Sequence, residues 1–281
     1  MTSRARSLWQ TRAGRGTGHF LAVAKNALAI FLGFAFCATS QAQFTTVAYD
    51  GFNYSAGSLA GQNGGTGWTT AWINDYSAGA SLDVSTTGMS YSGLVTTGGS
   101  VVWGSGGNGI SEDSRSLSLL DNGIVYLQFL SQFGSSSGGG TPNIRLFDSG
   151  TLTGGFGGNG GTYGTVMSIL DTSLSPASDG SSSSSASLSA LNFVVARIDY
   201  QNNTTAMWVN PDLSTFDYQN PTTPDATYAG LAPAFDKIAI YSRSPANVDE
   251  LTVMWESVPE PAPILFFATG ILILYVLRRC R

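Results

Sequence analysis

Apolar and polar positions alternate along much of this chain with the two-residue period of β-strands, not the 3.6-residue period of helices. From Gly123 to Phe133, the residues Val125, Leu127, Phe129 and Phe133 share one face, while Gln128 and Gln132 fall on the other. Asn143 to Asp148 sets Ile144 and Leu146 opposite Arg145. Asn192 to Tyr200 sets Val194, Ala196, Ile198 and Tyr200 against Arg197 and Asp199. Gln201-Asn202-Asn203 reads as a turn, and Thr204 to Val209 as the returning strand of a hairpin. Asp236 to Ser242 and Asp249 to Trp255 add two strands, the last presenting Leu251, Val253 and Trp255 on one face. No segment between residues 43 and 257 holds a helical period over three turns. The expected fold is all-β, two antiparallel sheets packed as a sandwich or jelly roll. Gly134 to Gly140, Gly154 to Gly164 and Ser178 to Ser189 break the alternation and read as exposed, flexible loops.

Both ends depart from this pattern. Arg4, Arg6, Arg12, Arg15 and Lys25 precede the apolar run Ala27 to Phe36, and Ser40-Gln41-Ala42 follows. A basic start, a short apolar stretch and small residues three and one positions before a cut predict a secretory signal helix cleaved between Ala42 and Gln43. At the other end, Ala262 to Leu277 carries no charge, and Arg278, Arg279 and Arg281 follow at once. That is the pattern of a transmembrane helix with its basic flank on the cytoplasmic side and the body outside. Three segments result: a signal peptide over 1–42, a β-sandwich over 43–257, and a C-terminal signal over 258–281.

Composition narrows the chemistry. With 42% hydrophobic residues and 15 Phe, 11 Tyr and 6 Trp, the chain has ample material for a core. Its one histidine, His19, and one of its two cysteines, Cys37, lie in the signal segment; the other, Cys280, lies in the basic tail. The body therefore excludes Ser-His-Asp and Cys-His nucleophilic chemistry, His- or Cys-ligated zinc, and internal disulfides. It holds five basic residues (Arg115, Arg145, Arg197, Lys237 and Arg243) against seventeen acidic ones. Such an acidic surface suits solubility or cation binding and disfavours nucleic acid. Asp50, Asp199 and Asp249 are the candidate calcium ligands; no other cofactor is expected.

The residues Val258-Pro259-Glu260-Pro261, followed by an apolar helix containing Gly270 and then the terminal arginines, resemble a PEP-CTERM sorting signal. That resemblance implies export through the secretory translocon, transient anchoring in the inner membrane, and recognition by an exosortase-like processing enzyme. The protein would then pass to the cell surface or beyond. Pro259, Glu260 and Pro261 would be the sorting motif, and Arg278, Arg279 and Arg281 the membrane-flanking bases.

The body carries a second resemblance. Tyr49-Asp50-Gly51-Phe52-Asn53-Tyr54, the run Gly61 to Trp68, the hairpin from Val194 through Pro211 and the strand Val248 to Val253 look like laminin-G-like, concanavalin A-like domains of PEP-CTERM proteins. The resemblance implies a β-sandwich whose relatives often bind glycans or calcium and sometimes cleave polysaccharides. Hydrolysis needs two carboxyl groups flanking the scissile bond. Jelly-roll glucanases carry an alternating Glu-x-Asp-x-Glu run, and this chain has none. Glu112-Asp113 and Asp249-Glu250 are adjacent pairs, expected to point to opposite faces of their strands. The body is thus expected to lack catalytic residues. Trp68, Trp72, Tyr76 and Trp103 lie in Gly-rich surroundings and are the candidates for stacking on sugar rings. A surface or matrix protein associated with exopolysaccharide is the leading expectation, a lectin-like binding module the alternative, and a polysaccharide-degrading enzyme a more remote one.

Overall fold

The computed structural model describes residues 43–104, 109–134, 142–158, 165–171 and 181–257. The signal peptide, the Pro259-Glu260-Pro261 motif, the C-terminal apolar segment and most of the loop expected over Gly134 to Gly140 lie outside the described residues.

Every named element among the described residues is a strand. In chain order they are β1 (Gln43–Asp50), β2 (Gly57–Ser58), β3 (Ile73–Ala78), β4 (Leu82–Ser85), β5 (Ser100–Trp103), β6 (Ile110–Leu120), β7 (Ile124–Phe133) and β8 (Asn143–Asp148). There follow β9 (Thr151–Gly157), β10 (Val166–Leu170), β11 (Ser181–Ser187), β12 (Asn192–Asp199), β13 (Thr204–Val209), β14 (Ala226–Ala229), β15 (Phe235–Ser242) and β16 (Ala246–Ser257). The first sheet has nine strands in the order β14-β13-β12-β7-β16-β5-β4-β2, with β1 also paired to β16. The second has seven, in the order β11-β10-β9-β8-β15-β6-β3. The named strand pairs are antiparallel, as expected.

The alternation seen in the sequence builds the core between the sheets. Val125, Leu127, Phe129 and Phe133 of β7 and Val194, Ala196 and Ile198 of β12 meet Ile144 and Leu146 of β8 and Ile238 and Ile240 of β15 in one buried cluster. Apart from the smaller Ala196, each such side chain, fully withdrawn from water, contributes about 1.5–3 kcal/mol. The predicted hairpin forms with Asp199 opposite Thr204, and Asn203 takes the left-handed conformation (φ 50°) that its turn needs.

The other face of the first sheet is covered too. Tyr126, Leu130, Phe193, Val195 and Trp208 form a second cluster under Met89, Tyr91 and Leu94 from the β4–β5 loop and Leu213, Phe216 and Tyr218 from the β13–β14 loop. Gln128, read as outward and polar, is therefore buried and donates Nε2 to the Tyr218 hydroxyl at 2.6 Å.

Two stretches expected as loops are in part strands, with residues 159–164 and 178–180 of them outside the described residues. Thr151 to Gly157 is β9, with Gly154, Gly155 and Gly157 buried between neighbours. A Cβ on Gly155 would lie 2.6 Å from the backbone oxygen of Ile144, so the glycine is there for close strand approach, not for looseness. Gly155→Ala is expected to cost about 1–3 kcal/mol by overpacking. Chemical unfolding measures this, and an unchanged midpoint would contradict it. The serine run is β11, pairing with β10. Its hydroxyls are used locally: Ser184 donates to the Met167 carbonyl at 3.0 Å, and Ser183 and Ser168 share a hydrogen bond of 2.8 Å. Ser182 accepts from the Thr227 backbone N–H of β14 at 3.2 Å, linking the edge strands of the two sheets.

Candidate functional site

Of the aromatic residues singled out in the sequence, Tyr76 alone stands in open solvent, with 52% of its surface exposed. Trp72 belongs to the core at 1% exposure and donates Nε1 to Asp50 Oδ2 at 2.9 Å, so it has no ring face to offer a sugar. Trp68 is half-buried, donates Nε1 to the Tyr49 carbonyl at 3.0 Å and lies under the Arg115 guanidinium. Trp103 is half-buried, its Nε1 without a hydrogen-bond partner among the described residues. The Gly-rich segment that suggested an open loop instead lies tight against β1. A Cβ on Gly65 would meet the Tyr49 carbonyl oxygen at 2.2 Å, and one on Gly67 the Val47 oxygen at 1.8 Å. That close approach carries the indoles inward.

Asp50, Asp199 and Asp249 do not assemble into a calcium site. Asp199 and Asp249 lie opposite Ile124 and Leu130 of β7, six residues and roughly 20 Å apart along the strand. The Asp50 carboxylate is already saturated. Oδ2 accepts from Arg115 Nη1 at 2.7 Å, the Tyr54 hydroxyl at 2.7 Å and Trp72, and Oδ1 from the Phe52 N–H at 2.9 Å. Asp199 accepts from Asn202 and pairs with Arg197 at 2.8 Å. Burial pulls its pKa upward, but these donors outweigh burial and hold the carboxyl below its ordinary value. No group of three or more His, Cys, Asp or Glu side chains among the described residues is placed to hold a metal.

Asp249 and Glu250 do not point to opposite faces. Between Asp249, opposite Leu130, and Thr252, opposite Gln128, β16 advances three residues while β7 advances two. The extra residue is a β-bulge with Glu250 in the left-handed region (φ 54°). Val248 and Leu251 both face the core, so the two acids between them turn outward together, under the β4–β5 loop. Asp249 Oδ2 accepts from the Met89 N–H at 2.8 Å; Glu250 accepts from the Thr97 N–H and, at 2.6 Å, from the Tyr49 hydroxyl. Burial, with Glu250 and Asp50 nearby, pushes the Asp249 pKa up to about 7. Burial and the Glu250 hydrogen bond push the Tyr49 phenol up to about 12. The pair anchors a loop from beneath.

Glu112 and Asp113 do split as expected. Asp113 turns inward, bonded to Asn74 at 2.6 Å, and burial raises its pKa to about 6. Glu112 turns outward, and the register of the second sheet places it in a polar row. Tyr76 of β3 lies opposite Glu112 of β6, Glu112 opposite Tyr241 of β15, and Tyr241 opposite Asn143 of β8. The next row runs Ile73, Ser114, Ala239, Arg145 and Gly155. At about 4.8 Å per strand, seven strands make this face roughly 29 Å wide.

Arg145 ties the rows together. Its Nη1 reaches Glu112 Oε2 at 2.5 Å and its Nε reaches Asn143 Oδ1 at 3.0 Å, while the guanidinium lies 3.5 Å from the centroid of the Tyr241 ring. Small Ala239 opposite Arg145 leaves room for the long side chain to cross. Beyond it, Lys237 lies over Phe147 and pairs with Asp75 at 3.0 Å. Arg145 and Lys237 are each matched by an acid, and Asn143 is buried beneath them, so the face presents a fixed guanidinium–carboxylate pair and the exposed Tyr76 ring. Tyr76 and Ile73, both about half exposed, form its open margin. Glu112, Asn143, Arg145 and Tyr241 escaped notice in the sequence as a set. The outward direction of Arg145 was legible, but its partners lie on strands brought together only by the register.

Neither a family model nor a curated protein matches the chain. Among solved structures, it is similar to a glycosyl hydrolase family protein from Mycobacterium fortuitum, at 12% identity and a TM-score of 0.36, over 74% of this chain and 99% of that one. It is also similar to lectin I-B4 from Griffonia simplicifolia in its metal-free form, at 9% identity and a TM-score of 0.26, over 78% and 95% of the two chains. Both likenesses are distant, and nothing about this chain's ligand follows from them.

Proposed function

We propose that this chain is an exported, non-catalytic β-sandwich of the cell surface or extracellular matrix that associates with exopolysaccharide through the outer face of its second sheet. The observation that carries the reading is the row Tyr76, Glu112, Tyr241 and Asn143 with Arg145 laid across it. Tyr76 offers an open ring face to sugar C–H groups, since Arg145 covers a face of Tyr241, while the paired Glu112 carboxylate and Arg145 guanidinium, already ordered by each other, offer acceptors and donors to hydroxyls. The matched charges suit a hydroxyl-rich polymer; a polyanion such as nucleic acid would need unpaired bases. Over β7, β12 and β13 the outer face of the first sheet is covered, among the described residues, by aromatic and aliphatic side chains of two loops.

The ends of the sequence support export by the translocon, an inner-membrane stage and exosortase-like processing at Pro259-Glu260-Pro261. Mass spectrometry of the mature protein is expected to find Gln43 at its start and residues 262–281 missing. A C-terminal peptide ending at Arg281 in the surface fraction would contradict the processing step.

For the binding face, pull-down of the mature protein on the host's own exopolysaccharide is expected to fall at least about ten-fold in Tyr76→Ala and in Arg145→Ala, a loss of about 1.4 kcal/mol. Undiminished retention in both would overturn the assignment. The Asp249–Glu250 pair, sharing one face with one carboxyl near neutral pKa, is the arrangement closest to a hydrolase. Both carboxyls are buried and hold the backbone of the β4–β5 loop, and we assign them no turnover. Cleavage of any glucan or galactan that is lost in Glu250→Gln would contradict this.

A further inference from the structure

Three interruptions of sheet regularity converge on one place. In β1, the register slips by one residue at Val47, between Thr46 opposite Met254 and Ala48 opposite Val253. In β6, Ser116 and Leu120 have partners in β15, but Leu117, Ser118 and Leu119 between them have none there, and β3 pairs only as far along β6 as Ser114. Side chains are also missing on both flanks. Gly67 presses on the Val47 backbone, and a Cβ on Gly123 would lie 3.0 Å from Trp255 Nε1. Between these features opens a cleft of about 440 Å³ at the mouth between the two sheets, lined by Val47, Leu117, Ser118, Leu119, Asn122 and Trp255 among others.

Bulges gather beside binding sites because they re-aim side chains and free peptide groups from the ladder. Here they do both. Leu119 is turned out to 50% exposure, although it lies within a strand of the sandwich. Trp255 is half-buried and held in place by its bond from Nε1 to the Asn122 carbonyl at 3.1 Å. A fixed indole, a projecting leucine, the hydroxyl of Ser118, the amide of Asn122 and peptide groups without a strand partner make a mixed apolar and polar lining. The volume falls within the range of small-ligand sites, roughly 300–1,000 Å³. The nearest charges along the chain, Asp121 beside Asn122 and Glu256 beside Trp255, are both acidic, which disfavours an anionic ligand.

We infer that this cleft is a binding site for a neutral pyranose unit, with Trp255 as the stacking platform and Ser118 and Asn122 as hydroxyl partners. The inference rests on the reading of the protein as a polysaccharide binder and adds a separate contact, between the sheets and away from the Tyr76 face. A chain end or side branch of the polymer would enter the mouth while its main chain lies along the second sheet.

The test is a titration of the mature protein with glucose, galactose, mannose and glucuronate, followed through the indole N–H resonance of Trp255 in a nitrogen-correlated NMR spectrum. At least one neutral hexose is expected to shift that resonance and saturate it at millimolar concentration, with glucuronate weaker. Leu119→Glu, at an exposed position that leaves the core intact, is expected to weaken the hexose at least about ten-fold. Tyr76→Ala is expected to leave it unchanged. No shift with any neutral hexose, or a shift indifferent to Leu119→Glu, would overturn the inference. If the polymer is still retained through Tyr76 in that case, the cleft fails and the face stands. If Trp255 responds while Tyr76→Ala and Arg145→Ala leave polymer retention intact, the cleft stands and the face fails.

Discussion

Replacing Arg115 by leucine is expected to cost the sandwich about 3–5 kcal/mol, the largest effect of any single substitution outside the apolar core. Arg115 and Asp50 are both within 2% of complete burial, and their charges meet at 2.7 Å. Removing the guanidinium strands the Asp50 carboxylate in the interior with only neutral donors: Tyr54, Trp72 and the Phe52 N–H. It also releases Asn63 and the Thr70 carbonyl, which Arg115 holds with its remaining nitrogens at 3.0 and 2.7 Å. These contacts fasten the segment between β1 and β3 to β6, so the loss spreads beyond one pair. A fall of roughly 10 °C in Tm follows for a body of this size. The double variant Asp50→Asn with Arg115→Leu removes the stranded charge and is expected to recover part of the loss. A single variant within about 1 kcal/mol of the wild type would show that the pair is not structural.

The second large effect is a decline in stability as pH rises from about 5 to 8. Burial lifts Asp249 to about 7 and Asp113 to about 6, against roughly 3.9 for an aspartate in the unfolded chain. Between those values the folded protein holds protons that the unfolded chain has lost. Stability therefore falls as pH climbs through the window. Above pH 7, ionised Asp249 sits near Asp50 and Glu250, with the backbone N–H groups of Met89 and Glu250 as partial compensation. Asp199 runs the other way, since its lowered pKa adds stability that disappears only in strong acid. Unfolding midpoints at constant ionic strength are expected to drop by on the order of 5 °C between pH 5 and 8. In Asp249→Asn the slope near pH 7 is expected to flatten, while the midpoint falls at every pH because an amide offers one acceptor to two N–H donors. A midpoint that is level or rises with pH would contradict the account.

What the sequence reveals of this fold depends on whether a strand's neighbours are apolar. The hairpin Asn192 to Val209 was legible because its core face is an unbroken series of Val, Ala and Ile, and because Asn202 and Asn203 mark the turn. Thr151 to Gly157 and Ser181 to Ser187 were not. Their strand character comes from the partners they lie against, and glycine or serine there reflects close backbone approach and local hydroxyl bonding. The same limit governs the site. Tyr76 was picked out for Gly-rich, loop-like surroundings, yet it lies in a strand, and its exposure comes from the position of β3 at the edge of the second sheet. Trp72 looked equivalent, yet the glycines around it draw the backbone inward and bury the ring. Strict alternation assigned Glu112 and Asp113 correctly to opposite faces and failed for Asp249 and Glu250, where a single bulged residue puts both on one. Arg145 could be seen to face outward, but Glu112, Tyr241 and Asn143 became its partners only through the pairing of β6, β15 and β8.

Affinity electrophoresis tests the central claim most directly, with the mature protein run through native gels cast with rising amounts of the host's exopolysaccharide. Mobility is expected to fall steadily with polymer concentration for the wild type and to stay close to that in the polymer-free gel for Tyr76→Ala. Wild-type mobility that is independent of the polymer would contradict the account.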